Sequence, residues 1–423
     1  MKTLIRNARI LCPASGRDET GDLIISNGVI ESIGSVDAKA DEIIDAGGLC
    51  LAPGLIDLRA KTGEPGAEQR ETLATASRSA VSGGVTSMVV MPDTDPVIDD
   101  VALVQFISNR GKETAKTRIY PAGALTKGLK GEAMAEIALM SETGALFFTN
   151  GDWPVEKTAV LRRTMAYAAS CNAIVASRAD ERALSGNGVM NSGALAARLG
   201  LTGIPREAEW IGLSRDLLLA EATGCTLIVD QVSTGRSLRL IREARNRGVK
   251  VFASVAAHHL FFNELDIGDY LTYCKVNPPF RSEEDRQALI SALADGEIDA
   301  VVSAHDPQPP EEKRLPISEA AFGAAGLETV LSALLSLVQD DKLTLLDALA
   351  PVTSRPADII GLPQGRLEEG TPADIILFDP NTPWLCERED LLSRSVNSPF
   401  DGRRMTGRVK RTIIAGETVF QRD

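Results

Sequence analysis

Arg59 and Lys61 stand two residues apart where a short apolar run, Leu55-Ile56-Asp57-Leu58, passes into the Gly/Pro-rich stretch "AKTGEPG". Residues two apart on a strand share a side, and a buried strand ending in such a loop is how a barrel delivers its last side chains to a functional rim. What arrives here is a pair of cations. Metal-assisted hydrolysis needs the opposite: three or four N, O or S electron-pair donors and a metal-bound water whose pKa is brought down to about 7. Protonated arginine and lysine have no lone pair to give. The chain contains three histidines, His258, His259 and His305, from which a site of four histidine ligands cannot be assembled. Its six cysteines, Cys12, Cys50, Cys171, Cys225, Cys274 and Cys386, form no C-x-x-C pair and read as buried reduced thiols.

Two roles are open to Arg59 and Lys61. They can neutralise acidic neighbours such as Asp57, Asp93 or Asp180 and fill a barrel mouth without metal. They can instead form an anion pocket for a carboxylated or phosphorylated metabolite. Internal pairing is the expectation.

The elements that must position these residues follow from the apolar pattern. The segments "VTSMVVMPD", "TRIYPAGAL", "GALFFTN", "NAIVASRAD", "CTLIVDQVST", "VKVFASVAAHH" and "DAVVSAHDP" read as strands, separated by helical patterns such as "SLRLIREARNRG", with a stop at Gly248, and "EEDRQALISALADG". Repeated βα units over residues 53–363 predict a (β/α)8 barrel of the TIM type. A doubly wound open sheet is the alternative, disfavoured because no G-x-G-x-x-G follows the first strand. Residues 1–52 and 364–423 read as short strands and turns, including an Asn27-Gly28 hairpin, and predict one small composite β-sandwich module built from both termini. The Gly-rich stretch "SGNGVMNSG" fits no phosphate-binding pattern and reads as a rim loop.

A chain of 423 residues suits a barrel plus a second module. Its net charge of −13 and isoelectric point near 5.0, without basic runs, argue against nucleic-acid or anionic-membrane partners. Lys2, Arg6 and Arg9 interrupt any signal-like apolar core, and no uncharged run approaches the ~18 residues of a membrane helix, so a cytoplasmic location is expected.

Several long stretches then carry a resemblance. "ETLATASRSAVSGGVTSMVVMPDTDPV", "MNSGALAARLGLTGIPREAEW", "KVNPPFRSEEDR", "EEKRLPISEAAFGAAGLET", "GRLEEGTPADIILFDP" and "SPFDGRRMTGRVKRTIIAGETVF" resemble, in the same order, stretches of the dihydroorotases and, more broadly, the cyclic amidohydrolases. The resemblance implies the metal-dependent amidohydrolase form of the barrel, a zinc site and ring hydrolysis. It also implies where the site residues fall. Arg59 and Lys61 stand in place of the family's His-x-His, Gly63 in place of a loop arginine that pairs with the substrate carboxylate, and Asp93 in place of the asparagine of Met-Pro-Asn-Thr. Gly151 stands where the family has a metal-bridging aspartate or carbamylated lysine, Ser177 and Gln231 where it has two further histidines, and Ala304 where it has the catalytic aspartate. Zinc is expected for the family, but its ligands are replaced, and an alanine cannot accept the proton of an attacking water.

Asp152, Asp230 and Asp306 each lie one or two residues from a replaced position. With His305 they could form a rearranged metal site; an offset of one turns a strand side chain to the opposite face, so they are expected to be solvated or salt-bridged loop acids. His258 and His259 are expected to pack rather than ligate. Asn277 and Arg281 match substrate-proximal family positions and are expected to support their loop. The expectation from all this is a non-catalytic dihydroorotase homologue serving as a structural subunit of pyrimidine biosynthesis. The resemblance implies aspartate carbamoyltransferase as partner and a homo-oligomer. An active cyclic amidohydrolase with atypical ligation and an acidic-metabolite-binding regulatory subunit are the alternatives.

Overall fold

The computed structural model describes residues 2–34 and 39–422. Eight short parallel strands form the ring of a barrel, and they are labelled here in chain order. These are β1 (Leu55–Ala60), β2 (Val85–Val90), β3 (Arg118–Pro121, extended by Gly123–Ala124), β4 (Phe148–Thr149), β5 (Val175–Ser177), β6 (Leu227–Val229), β7 (Val251–Ala256) and β8 (Ala300–Val302). Each pairs with the next, and the ring closes where Ala60 bridges His305 and the Lys61 N–H donates to the His305 carbonyl at 2.8 Å. The chain is thus a (β/α)8 barrel rather than an open sheet.

Strands covered on both faces need no polar side, and β2, which carries only Thr86 and Ser87 among apolar residues, is buried throughout. One apolar cluster gathers Ile56, Leu58, Val89, Ala176, Ile228 and Val302 from strands around the ring. A larger cluster packs the outer faces of the strands against the helices. Helix ends are set by local chemistry. Thr72 caps Leu73–Ser82 with a reciprocal box to Thr75, Asp100 caps Val101–Thr114, and Ser282 caps Glu283–Ala294. Gly248, at φ 88°, follows the helix Gly235–Asn246.

The strands of both chain ends share one sheet. Cys50–Pro53 pairs antiparallel with Ile375–Phe378, joining five strands from the front to three from the back. Asn27 and Gly28, both at positive φ, form the hairpin turn between Arg17–Ser26 and Val29–Gly34. No helix among the described residues is long and apolar enough to cross a membrane, and all six cysteines are unpaired.

Candidate functional site

The C-terminal ends of the strands converge on one mouth, and charged residues arrive there from six of them. Arg59 ends β1 and Lys61 follows it; Asp93 follows β2, Asp152 follows β4, Arg178 follows β5, Asp230 follows β6 and Asp306 lies beyond β8. A register shift between Asp57 and Ala60 bulges β1, so that Leu58 joins the central cluster while Ala60 packs in the outer one. Bulges of this kind re-aim side chains at the rims of barrels.

The charges pair among themselves. Arg59 Nη1 donates to Asp230 at 2.5 Å and Nη2 to Asp152 at 2.6 Å. Arg178 Nη1 donates to the same Asp152 oxygen at 2.7 Å, and Arg178 also donates to the Asn277 carboxamide oxygen. Lys61 Nζ faces Asp93 at 2.9 Å and Asp306 at 3.2 Å and bonds Asp152 as well. Asp152 and Asp306 accept hydrogen bonds from its ammonium, and Asp93 is paired with it by charge. Gln231, with its carboxamide oxygen toward the guanidinium, accepts from Arg59 Nε at 2.6 Å.

Burial works against the charges on Arg59 and Lys61, but the surrounding aspartates outweigh it and raise both pKa values. Asp152 is also penalised by burial, yet Lys61, Arg59 and Arg178 hold its carboxyl well below the usual range. Asp306 goes the other way. Burial, helped by Asp152 and Asp93, outweighs Lys61 and pushes its carboxyl up. Three cations face four carboxylates, and the excess negative charge works in the same direction as burial on Asp306.

Asp152, Asp230 and Asp306 are salt-bridged acids, paired with Arg59, Lys61 and Arg178, but the expectation that they turn to the opposite face needs correction. Gly151, Gln231 and Ala304 all have left-handed backbones, at φ 61°, 57° and 48°. A left-handed residue ends the strand's alternation, so the offset does not turn Asp152, after Gly151, or Asp306, two past Ala304, away from the mouth; Asp230 precedes Gln231 and is held there by Arg59 and Ser254. The acids expected beside the cations are instead mostly elsewhere. Asp57 accepts from the Ser303 hydroxyl and from the backbone of Ser303 and Arg59, and Asp180 lies beside Ser185 and Arg182; Asp93 alone of the three meets Lys61.

The remaining positions divide between rim and interior. Gly63, at φ 70°, makes a turn in which its carbonyl accepts from Ala67 N–H at 2.6 Å. Ser177 donates to Asp216 at 2.6 Å. Asn277 lines the mouth, but Arg281 turns inward to Ser233, Asn191 and the Ile204 carbonyl. His305 is fully buried, its Nδ1 accepting from Gly326 N–H and its Nε2 3.5 Å from Glu71, so neither Arg281 nor His305 opens on the mouth. His258 and His259 pack edge-on against Phe280, and burial pushes His259 down to about 3. Arg178 and Lys275 escaped the sequence reading, although "VASR" placed a cation directly after a strand.

Above the ion-pair cluster lies an open cavity of about 550 Å³ whose walls include Lys61, Asp152, Trp153, Lys275, Asn277 and Asp306. Below it, the space between Arg59, Asp152, Gln231, Ala304 and Asp306 measures about 10 Å³, room for a single water. Zinc does not fit this floor. The carboxylates that could ligate it are bonded to arginine and lysine, and among the described residues no group of three His, Cys, Asp or Glu is arranged to hold a metal.

Comparisons with known proteins identify the lineage. Residues 48–237 match the family described as dihydro-orotase-like and residues 299–420 the amidohydrolase family. A protein of Pelobacter propionicus named dihydroorotase is 40% identical over the whole of both chains. One of Pelotomaculum thermopropionicum with the same name is 41% identical over all of this chain and 99% of its own. Among solved structures, L-hydantoinase (dihydropyrimidinase) from Arthrobacter aurescens superposes with a TM-score of 0.91 at 26% identity, covering 99% of this chain and 96% of that one. These relatives overturn the expectation of a non-catalytic structural subunit: full-length similarity to proteins named as enzymes points to an enzyme. The chain belongs to the dihydroorotase family, within the amidohydrolases.

Proposed function

We propose that the chain opens or closes a cyclic amide ring of the dihydroorotate type in the cavity at the barrel mouth, with carboxylates and cations in place of metal chemistry. The observation that carries this reading is the full-length 40% identity to proteins named dihydroorotase. A cavity of about 550 Å³ above the cluster offers room for such a ring. Asp306 is suited to handle the proton, because its raised pKa opposes that of Asp152 across the shared Lys61, and diverging carboxylates of this kind separate acid from base. In ring opening it would take a proton from water as the oxygen adds to the amide carbon, then return that proton to the departing ring nitrogen. The Lys61 ammonium is already engaged by Asp93, Asp152 and Asp306. Asn277, whose oxygen is held by Arg178, keeps its NH2 available, and Lys275, bonded to the Ile317 and Ser318 carbonyls, keeps a third N–H.

The test is dihydroorotate turnover in both directions in chelator-treated buffer. Wild-type turnover reduced ~100-fold or more by Asp306→Asn is the expected result. A wild-type rate no higher than that of the variant removes the reading.

A second reading, binding of an acidic metabolite without turnover, is favoured by the closed floor of the site. Equilibrium binding of dihydroorotate or its ring-opened acid to a chain that does not interconvert them selects it. Association with aspartate carbamoyltransferase is a proposal resting on the resemblance alone; co-elution tests it, and separate elution at micromolar concentration removes it.

A further inference from the structure

The family's zinc and this chain's donors disagree, and the disagreement has a physical resolution. Four carboxylates gathered at one mouth would repel one another strongly if the space between them held only water. In this chain Arg59 and Arg178 bracket Asp152 from two sides, Arg59 reaches across to Asp230, and Lys61 gathers Asp93, Asp152 and Asp306. Arg59 and Arg178 are both about 95% buried, so their pairs are little screened by solvent. The floor beneath them has space for one water.

We infer that Arg59, Lys61 and Arg178 are fixed internal counter-charges that take the electrostatic place of the family's metal, so that the mouth is assembled and held without any divalent ion. Cationic side chains differ from a metal in one consequence. They travel with the chain, so the site forms during folding and does not depend on metal supply or on deprotonation of ligands. They also commit the carboxylates, since a zinc ion entering the mouth would have to displace an ammonium or guanidinium that cannot leave.

The inference rests on this chain's geometry and not on turnover, and the experiment separates the two. The full chain is produced in zinc-supplemented medium, purified without chelator, and its metal content measured by mass spectrometry; its melting temperature is then compared in chelator and in added zinc. Well under one equivalent of metal per chain, and a melting temperature unmoved by chelator, are expected. An equivalent or more that survives dialysis, or a melting temperature that falls in chelator and recovers with zinc, overturns the inference whether or not the chain is active. A second arm reads the counter-charge itself. Arg59→Met is expected to lower the melting temperature, and adding Asp230→Asn, which removes the orphaned carboxylate, is expected to restore part of it. If the double variant melts lower than the single one, Arg59 is not acting as a counter-charge. A zinc-free chain with no turnover leaves this inference standing and sinks only the ring-hydrolysis reading.

Discussion

Ala304 shows how far the mouth has been rebuilt around a single residue. It stands where the family's proton-accepting aspartate is implied, is 8% exposed, and faces the one-water space beside Asp306. Returning an aspartate there would place a fifth carboxylate among four, against three cations already committed. Backbone strain is not the obstacle, since aspartate tolerates a left-handed backbone better than alanine does. Ala304→Asp is therefore expected to destabilise the fold by about 2–4 kcal/mol, through buried like charge and lack of space, and to restore no zinc-dependent rate. Ala304→Asn has nearly the same shape without the charge and is expected to cost clearly less. Urea unfolding of the two variants decides it: equal losses would show that crowding alone is responsible.

Elements rather than residues fix how the composite sheet sits on the barrel. The strand Arg403–Ile414 lies against the helix Val330–Gln339, and Gly407, at φ 83°, is the point of closest approach: a Cβ there would fall 2.1 Å from a methyl of Leu335. Its carbonyl accepts from Ser332 Oγ at 2.6 Å and Trp384 Nε1 at 3.1 Å, which holds the strand against the helix. Gly407→Ala is expected to cost about 2–4 kcal/mol from overpacking and the left-handed backbone together. Leu335→Ala in the same chain relieves the overlap, so the double variant is expected to lose less than the two single losses combined. Strict additivity in urea unfolding would rule the contact out as the cause. The same contrast between pattern and local backbone explains what the sequence made legible. Uncharged, mostly apolar segments such as Val85–Val90 and Val251–Ala256 announce buried strands, because burial on both faces leaves no regular polar alternation. The change of donor type was also readable, since protonated arginine and lysine have no lone pair to give a metal. What could not be read was the aim of the acids, which depends on a bulge in β1 and on left-handed residues at Gly151, Gln231 and Ala304. Glycine hints at such a backbone; glutamine and alanine give no sign of it.

At the scale of the whole molecule, buried titratable groups set how stability answers to acid. His259 is 3% exposed, and burial lowers its pKa from 6.5 to about 3; its neighbour His258 is pushed well below the ordinary value by burial and by His259. Between pH 6.5 and 3 the unfolded chain therefore takes up protons on these rings that the folded chain refuses, so stability falls as pH falls through that window. For His259 the full effect is on the order of 5 kcal/mol. Asp57 acts in the opposite sense. Burial raises its carboxyl from 3.8 to about 6, so between those values the folded chain binds a proton that the unfolded chain has released, and acid favours folding. The two histidines outweigh the one carboxyl, and their window opens first, above pH 6. The urea midpoint is expected to begin declining below pH 7.5 and to keep declining at least as steeply from pH 6 down to pH 4.5, where the two rings outweigh Asp57 by about one proton. His258→Leu, which keeps the apolar contact with Phe280 while removing one titrating ring, is expected to flatten the decline. A midpoint in the wild-type chain that rises on acidification, or a slope that His258→Leu leaves unchanged, would mean that the histidine pair does not govern the acid limb.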